Sequence, residues 1–189
     1  MNDTADYGPL AALIGRWEGE QGTDIAPEPD GTENNPYYEF IEFYGEDDTD
    51  NAETQELVIV RYHQQVRRKS NGKVFHDQVG YWLWDKDANQ VVHSFTIPRG
   101  VAVIAGGQAE KITDGYQLRV KAKKGDLDWG VLETPFMRDN ASTTGFEMEL
   151  TVTSDTLNYM QTTTVDIYGR EGFEHTDTNT LKRVSEYID

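Results

Sequence analysis

Turn signals punctuate this chain at short, fairly regular intervals. They fall at Asn71-Gly72, Lys86–Asn89, Pro98-Arg99-Gly100, Gly106-Gly107, Asp114-Gly115, Ser154-Asp155 and Gly169–Gly172. The segments between them are strand-like: Tyr37–Tyr44, Thr54–Arg68, Val74–Asp85, Val91–Ile97, Val101–Ala105, Tyr116–Lys123, Thr143–Thr153, Thr156–Ile167 and Thr180–Val184. In Thr54–Arg68 the apolar Val58, Val60, Tyr62 and Val66 share one face, while Arg61, His63 and Arg67 share the other with Leu57 and Ile59. Period-two alternation of this kind builds a strand with one buried and one wet face. Almost no helical periodicity is present. About ten short strands joined by hairpins predict an all-β fold. The expected form is one closed antiparallel up-and-down barrel over residues 1–189, its last strand closing on its first and leaving no free edge.

The opening strand is Leu13–Gly22, LIGRWEGEQG, entered from a short helical turn at Pro9–Leu13. Trp17 stands between Gly15 and Gly19. A wide ring between two positions without side chains suits the floor of a small barrel, where the interior narrows and must be filled. An ordinary core tryptophan between turn glycines fits equally. Two stretches read as long connections, Thr23–Pro36 and Gly125–Asn140, either of which could cover a barrel mouth. Glu46–Glu53 reads as an acidic turn.

Composition narrows the function. The 189 residues carry a net charge of −17, which repels phosphate backbones and anionic headgroups. Nucleic-acid and membrane partners are therefore not expected. The absence of cysteine excludes disulfides and thiolate metal sites, and fits a cytoplasmic location. The N-terminal MNDTADYGPL lacks the basic start and apolar core of a signal peptide. Aromatics reach 11%, enough to build a core rich in rings and polar-lined positions. Exposed aromatics on a barrel side would also support a homodimer.

Neither a phosphate-binding glycine loop nor a G-x-S-x-G string is present, and no nucleophile–base pair stands out, so no catalytic residue is assigned. The histidines are the best candidates for site chemistry. His63 lies on a wet face. His76 shares its face with Gln78, Gly80, Trp82 and Trp84, a mixture that fits either a cavity wall or a hydrogen-bonded core histidine. His93 reads as structural. His175 precedes the closing strand, where a side chain points over a barrel mouth or lies in a loop.

The motifs, taken in order, resemble the nitrobindin family of haem-binding ten-stranded barrels, calycin-type folds similar in shape to lipocalins and fatty-acid-binding proteins. G-x-W-x-G follows a helical turn. Phe75-His76-Asp77-Gln78-Val79-Gly80-Tyr81-Trp82 resembles the family's pocket strand, and Val91–Gly107 its next hairpin. Leu157-Asn158-Tyr159 through Thr162-Thr163-Thr164 resembles the penultimate strand, and Gly172-Phe173-Glu174-His175 with Leu181 the end of the chain. Gln21 and Thr23 stand where the family alternates glycines. The resemblance implies a haem b cofactor with His175 as the proximal iron ligand. It implies a pocket lined by Phe75, His76 and Thr96, and reactivity toward nitric oxide and peroxynitrite, the latter as an isomerase. A fatty-acid or other apolar-ligand carrier without haem is the alternative. It would need an interior basic residue, for which Arg61, Arg99 and Arg119 are candidates.

Overall fold

The computed structural model describes residues 6–46 and 49–186. The reading of residues 1–5 as lacking a leader lies outside them. A short 3-10 helix, Gly8–Leu13, leads into the strands. The wall is made by β1 (Gly15–Glu28), β2 (Gly31–Gly45), β4 (Gln55–Arg68), β5 (Val74–Asp85), β6 (Gln90–Ile97), β7 (Val101–Ile112), β8 (Gly115–Lys123), β10 (Ala141–Thr153), β11 (Thr156–Ile167) and β12 (Arg170–Ser185). Neighbours pair antiparallel in the order β2-β1-β12-β11-β10-β8-β7-β6-β5-β4, and β2 pairs with β4 to close the ring. The last strand does close on the first, as the hairpin order implies. Two short strands lie off the ring: β3 (Thr49–Ala52) on β4 and β9 (Val131–Glu133) on β7.

Trp17 fills the floor. It is fully buried among Leu10, Leu13, Phe43, Val60, Trp82 and Leu181. Its indole Nε1 donates to Leu13 O at 2.7 Å, and the Arg183 guanidinium lies 4.2 Å from its ring centroid. Arg183 also donates to Ala12 O at 2.7 Å and to Ile14 O. It thereby satisfies carbonyls that the end of the 3-10 turn leaves free, and it ties the last strand to the first.

Several stretches differ from their sequence reading: Glu46–Glu53 holds β3, and the last strand begins at Arg170, well before Thr180, so that His175 lies within it and not ahead of it. Thr23–Pro36 is no loop: β1 and β2 run on as one long hairpin to a turn at Pro29-Asp30. Its prolines are tolerated because Pro27 lies beyond Ile25, the last β1 residue with a partner on β12, and Pro36 precedes Tyr37, where pairing with β4 begins. Gly106-Gly107 is no turn but lies inside β7, where Trp129 packs so closely over Gly106 that a Cβ there would fall 2.2 Å from the ring. Gly125–Asn140 is not a plain loop. It contains β9 and a one-and-a-half-turn helix, α1 (Pro135–Asn140), and it patches the edge of β7 where β8 has ended. Glu133, buried, is held there by Lys124 Nζ at 2.5 Å.

Candidate functional site

The barrel interior changes character along its axis. The floor is apolar, as described. Above it sits a polar middle layer centred on Glu39, which is 4% exposed. Its carboxylate accepts from Gln64 Nε2 at 2.5 Å, Asn179 Nδ2 at 2.6 Å and Tyr159 OH at 3.0 Å. Tyr159 OH lies 2.7 Å from Tyr37 OH. Burial pushes the Glu39 carboxyl up to about 7, against the lowering effect of its donors. On the other wall Gln78 Nε2 donates to Tyr62 OH at 2.6 Å, and Tyr62 OH lies 2.7 Å from His93 Nε2. His93 is stacked on Trp82 at 4.2 Å, and burial lowers its pKa to about 3, so the ring is neutral. It is structural, as its alternation implies.

The mouth is the end ringed by the β1–β2, β4–β5, β6–β7, β8–β10 and β11–β12 connections. His175 faces inward there with Asp177, Asn179 and Leu181, the period-two inner face of β12. His175 Nε2 donates to Asp24 Oδ1 at 2.5 Å and lies 3.8 Å from Asp177 Oδ2. Asp24 reaches the interior because β1 carries a bulge between Gly19 and Gly22, which shifts its phase and turns Gly22 and Asp24 inward. Gly22 leaves room for Tyr37, whose ring would lie 2.0 Å from a Cβ there. Burial lowers the His175 pKa, but the hydrogen bond it donates to Asp24 and the charges of Asp177 and Asp24 outweigh it, and the net shift is upward. Burial raises Asp177 to about 6, with Asp24 adding to the rise and His175 opposing it. His76 shifts the other way, lowered by burial and by the neighbouring His175.

His76 and Phe75 sit beside this group through a second bulge. Val66 pairs with His76 but Arg67 pairs with Val74, so Phe75 is the extra residue. Both consecutive side chains can then reach the mouth. Phe75 meets the Tyr37 ring edge-on at 6.3 Å, and the Arg68 guanidinium covers its face at 4.8 Å. Arg68 Nε is buried without a hydrogen-bond partner. A recess of about 440 Å³ opens here, lined by Val74, Phe75, His76, Asp77, Ile97, Pro98 and Arg99.

The structure therefore brings His175, His76 and Phe75 to one end. Thr96 does not belong with them. Strand β6 turns Val91, His93 and Phe95 inward, and Thr96, the alternate residue, is exposed on the outer wall. The candidate interior arginines also fail. Arg61 pairs with Glu46 at 2.9 Å and Arg119 with Glu149 at 2.8 Å, both on the outside, and Arg99 is exposed at the rim. Two arginines at the mouth, Arg68 and Arg170, each have a buried Nε without a hydrogen-bond partner, and Arg68 is the one beside Phe75. Asp24 and Asp177 were not singled out by sequence. Asp177 carried a signal, being two residues after His175 on a strand, whereas Asp24 carried none. A larger recess, about 800 Å³, involves the outward Arg119, Lys121, Glu147, Glu149 and Met160. Arg119 there is already paired with Glu149 and Glu110, and we assign it no ligand.

A closed antiparallel barrel with an apolar floor and a polar, histidine-bearing mouth defines a small-ligand-binding barrel. A family model described as a THAP4-like, heme-binding beta-barrel domain matches residues 6–183, and the chain belongs to that family. Among solved structures, the crystal structure of Rv2717c from M. tuberculosis is similar in fold, with a TM-score of 0.70 at 20% identity, covering 96% of this chain and 99% of that one. No curated protein sequence matches. No helix among the described residues is long and apolar enough to cross a membrane.

Proposed function

We propose that the barrel binds ferric haem b at its mouth, with the imidazole of His175 as the axial ligand and Phe75 and His76 as walls. The observation that carries this reading is the convergence of two inward histidines and an aromatic ring at the open end of a barrel whose family is described as heme-binding. His76 is pushed toward its neutral form, whereas His175 is pushed toward its charged form and must give up its Nε2 proton to ligate. The buried, unpartnered Arg68 Nε gives a propionate a charge-assisted donor. One residue must yield: Asp24 holds the His175 Nε2, and ligation requires that contact to open.

Bound haem with one protein ligand supplies an iron with an open position for nitric oxide or peroxynitrite. The residues of the chain orient and enclose. Phe75 offers a flat apolar face, Tyr37 backs it, and the Glu39 layer separates the mouth from the apolar floor. Titrating the purified protein with ferric haem tests the reading: a sharp Soret band saturating at one equivalent, absent in His175→Ala, is expected.

The second reading is a carrier of a carboxylate-bearing apolar ligand, and the free donor of Arg68 beside Phe75 favours it. A fluorescent fatty acid that binds wild type and His175→Ala equally, with no Soret band in either, would establish it over haem.

A further inference from the structure

We propose that the mouth also binds a divalent cation, held by the carboxylates of Asp24 and Asp177 and the imidazole of His175. Asp24 and Asp177 are direct partners across β1 and β12, and His175 precedes Asp177 by two residues on the same inner face. Their nearest ligand atoms all lie within 4.8 Å of one another. A cation with ligands at about 2.1 Å spans donors about 3 Å apart when adjacent and about 4 Å apart when opposite, so small side-chain shifts complete the site. An imidazole with two carboxylates selects zinc, manganese or ferrous iron over soft monovalent copper.

The surroundings favour a cation independently of the spacing. Like charges placed directly opposite on paired strands repel, and Asp24 is almost fully buried. Among the described residues no lysine or arginine forms an ion pair with either carboxylate, and His175 alone faces both. Neutral amides also donate to each carboxylate: Asn35 Nδ2 to Asp24 Oδ2 at 3.0 Å, behind the oxygen that meets His175, and Gln161 Nε2 to Asp177 Oδ2 at 3.4 Å. Outer partners of this kind fix ligand carboxylates without neutralising them. The cation site shares His175 with the haem reading, so the two ligands exclude each other; Asp177 would ligate only the cation, while its charge also bears on the His175 imidazole.

The test is a titration of the chelator-treated full chain with cobalt(II), read by its visible d–d absorption. Wild type is expected to saturate at one equivalent. Asp177→Asn, shown folded by circular dichroism, is expected to bind cobalt about tenfold more weakly or worse. Equal cobalt saturation in wild type and Asp177→Asn, or no band in wild type, overturns the proposal. A haem titration that fails in both proteins sinks the haem reading and leaves the cobalt result standing. A second measurement needs no variant. Substoichiometric manganese(II) should broaden the amide NMR signals of Asp24, His175 and Asp177 first. Broadening that begins at the outer acidic turns instead contradicts the site.

Discussion

His175 Nε2 and Asp24 Oδ1 lie 2.5 Å apart across the β12–β1 pair, the imidazole donating to a carboxylate that is almost fully buried. The same nitrogen is the one an iron would take, so Asp24 and haem compete for it. A hydrogen bond to a charged group contributes about 1.5–3 kcal/mol, or roughly tenfold to a hundredfold in affinity. Asp24→Asn should therefore tighten ferric haem binding by about tenfold, measured by Soret titration. It should weaken cobalt binding at the same time. Movement of both affinities in one direction would mean that Asp24 acts only on the fold.

Arg68 makes a separate prediction. Its buried Nε has no partner, and its guanidinium covers Phe75. Arg68→Met keeps most of the packing stem and removes the charge. Ligands bearing a carboxylate, haem included, should bind several-fold more weakly, while an uncharged apolar probe is unaffected. Isothermal titration with a fatty acid and its methyl ester separates the two effects.

Glu39 ties stability to pH. Its folded pKa of about 7 stands above the ordinary 4.5, so the folded state holds a proton there that the unfolded state has lost. Its contribution is complete below about pH 4.5 and is lost as pH rises through 7, on the order of 3 kcal/mol in all. His93 runs the other way. Its folded pKa of about 3 lies below 6.5, so its contribution is present above 6.5 and lost as pH falls. The two slopes oppose each other between about pH 4.5 and 6.5 and hide one another in wild type. The stability difference between Glu39→Gln and wild type should rise steadily from pH 4.5 to 7 and then level off in urea denaturation. A flat difference would place Glu39 ionised throughout.

The floor predicts a stability effect without a binding effect. Trp17 fills the narrow end and Arg183 pins the 3-10 turn over it. Trp17→Ala should cost about 3–5 kcal/mol through the cavity it leaves. Arg183→Met should cost about 1–3 kcal/mol through the carbonyls it strands. Chemical denaturation gives both values, and ligand affinity at the distant mouth should hold wherever the variant is folded.

Alternation made the wall legible. The inward set Val60, Tyr62 and Val66 and the shared face of His76, Gln78 and Trp82 follow from period two alone. The resemblance points to Phe75 and His76, but the bulges that bring residues to the mouth break the period-two pattern. The bulge between Gly19 and Gly22 resets the phase of β1 and delivers Asp24 to His175, and the one at Phe75 sends two consecutive residues toward the mouth. Neither has a local composition that announces it. Pro27, Pro29 and Pro36 read as loop signals because their tolerance depends on which strand edges are free, a property of the closed sheet. Thr96, which only the family resemblance assigns to the pocket, alternates with His93 and Phe95 and therefore lies on the outer wall.

The most direct test of the account is a visible-absorption titration with ferric haem, run on wild type and His175→Ala side by side. The account predicts a Soret band saturating at one equivalent in wild type and lost in the variant. Identical spectra in the two proteins would contradict it and remove His175 from the ligand site.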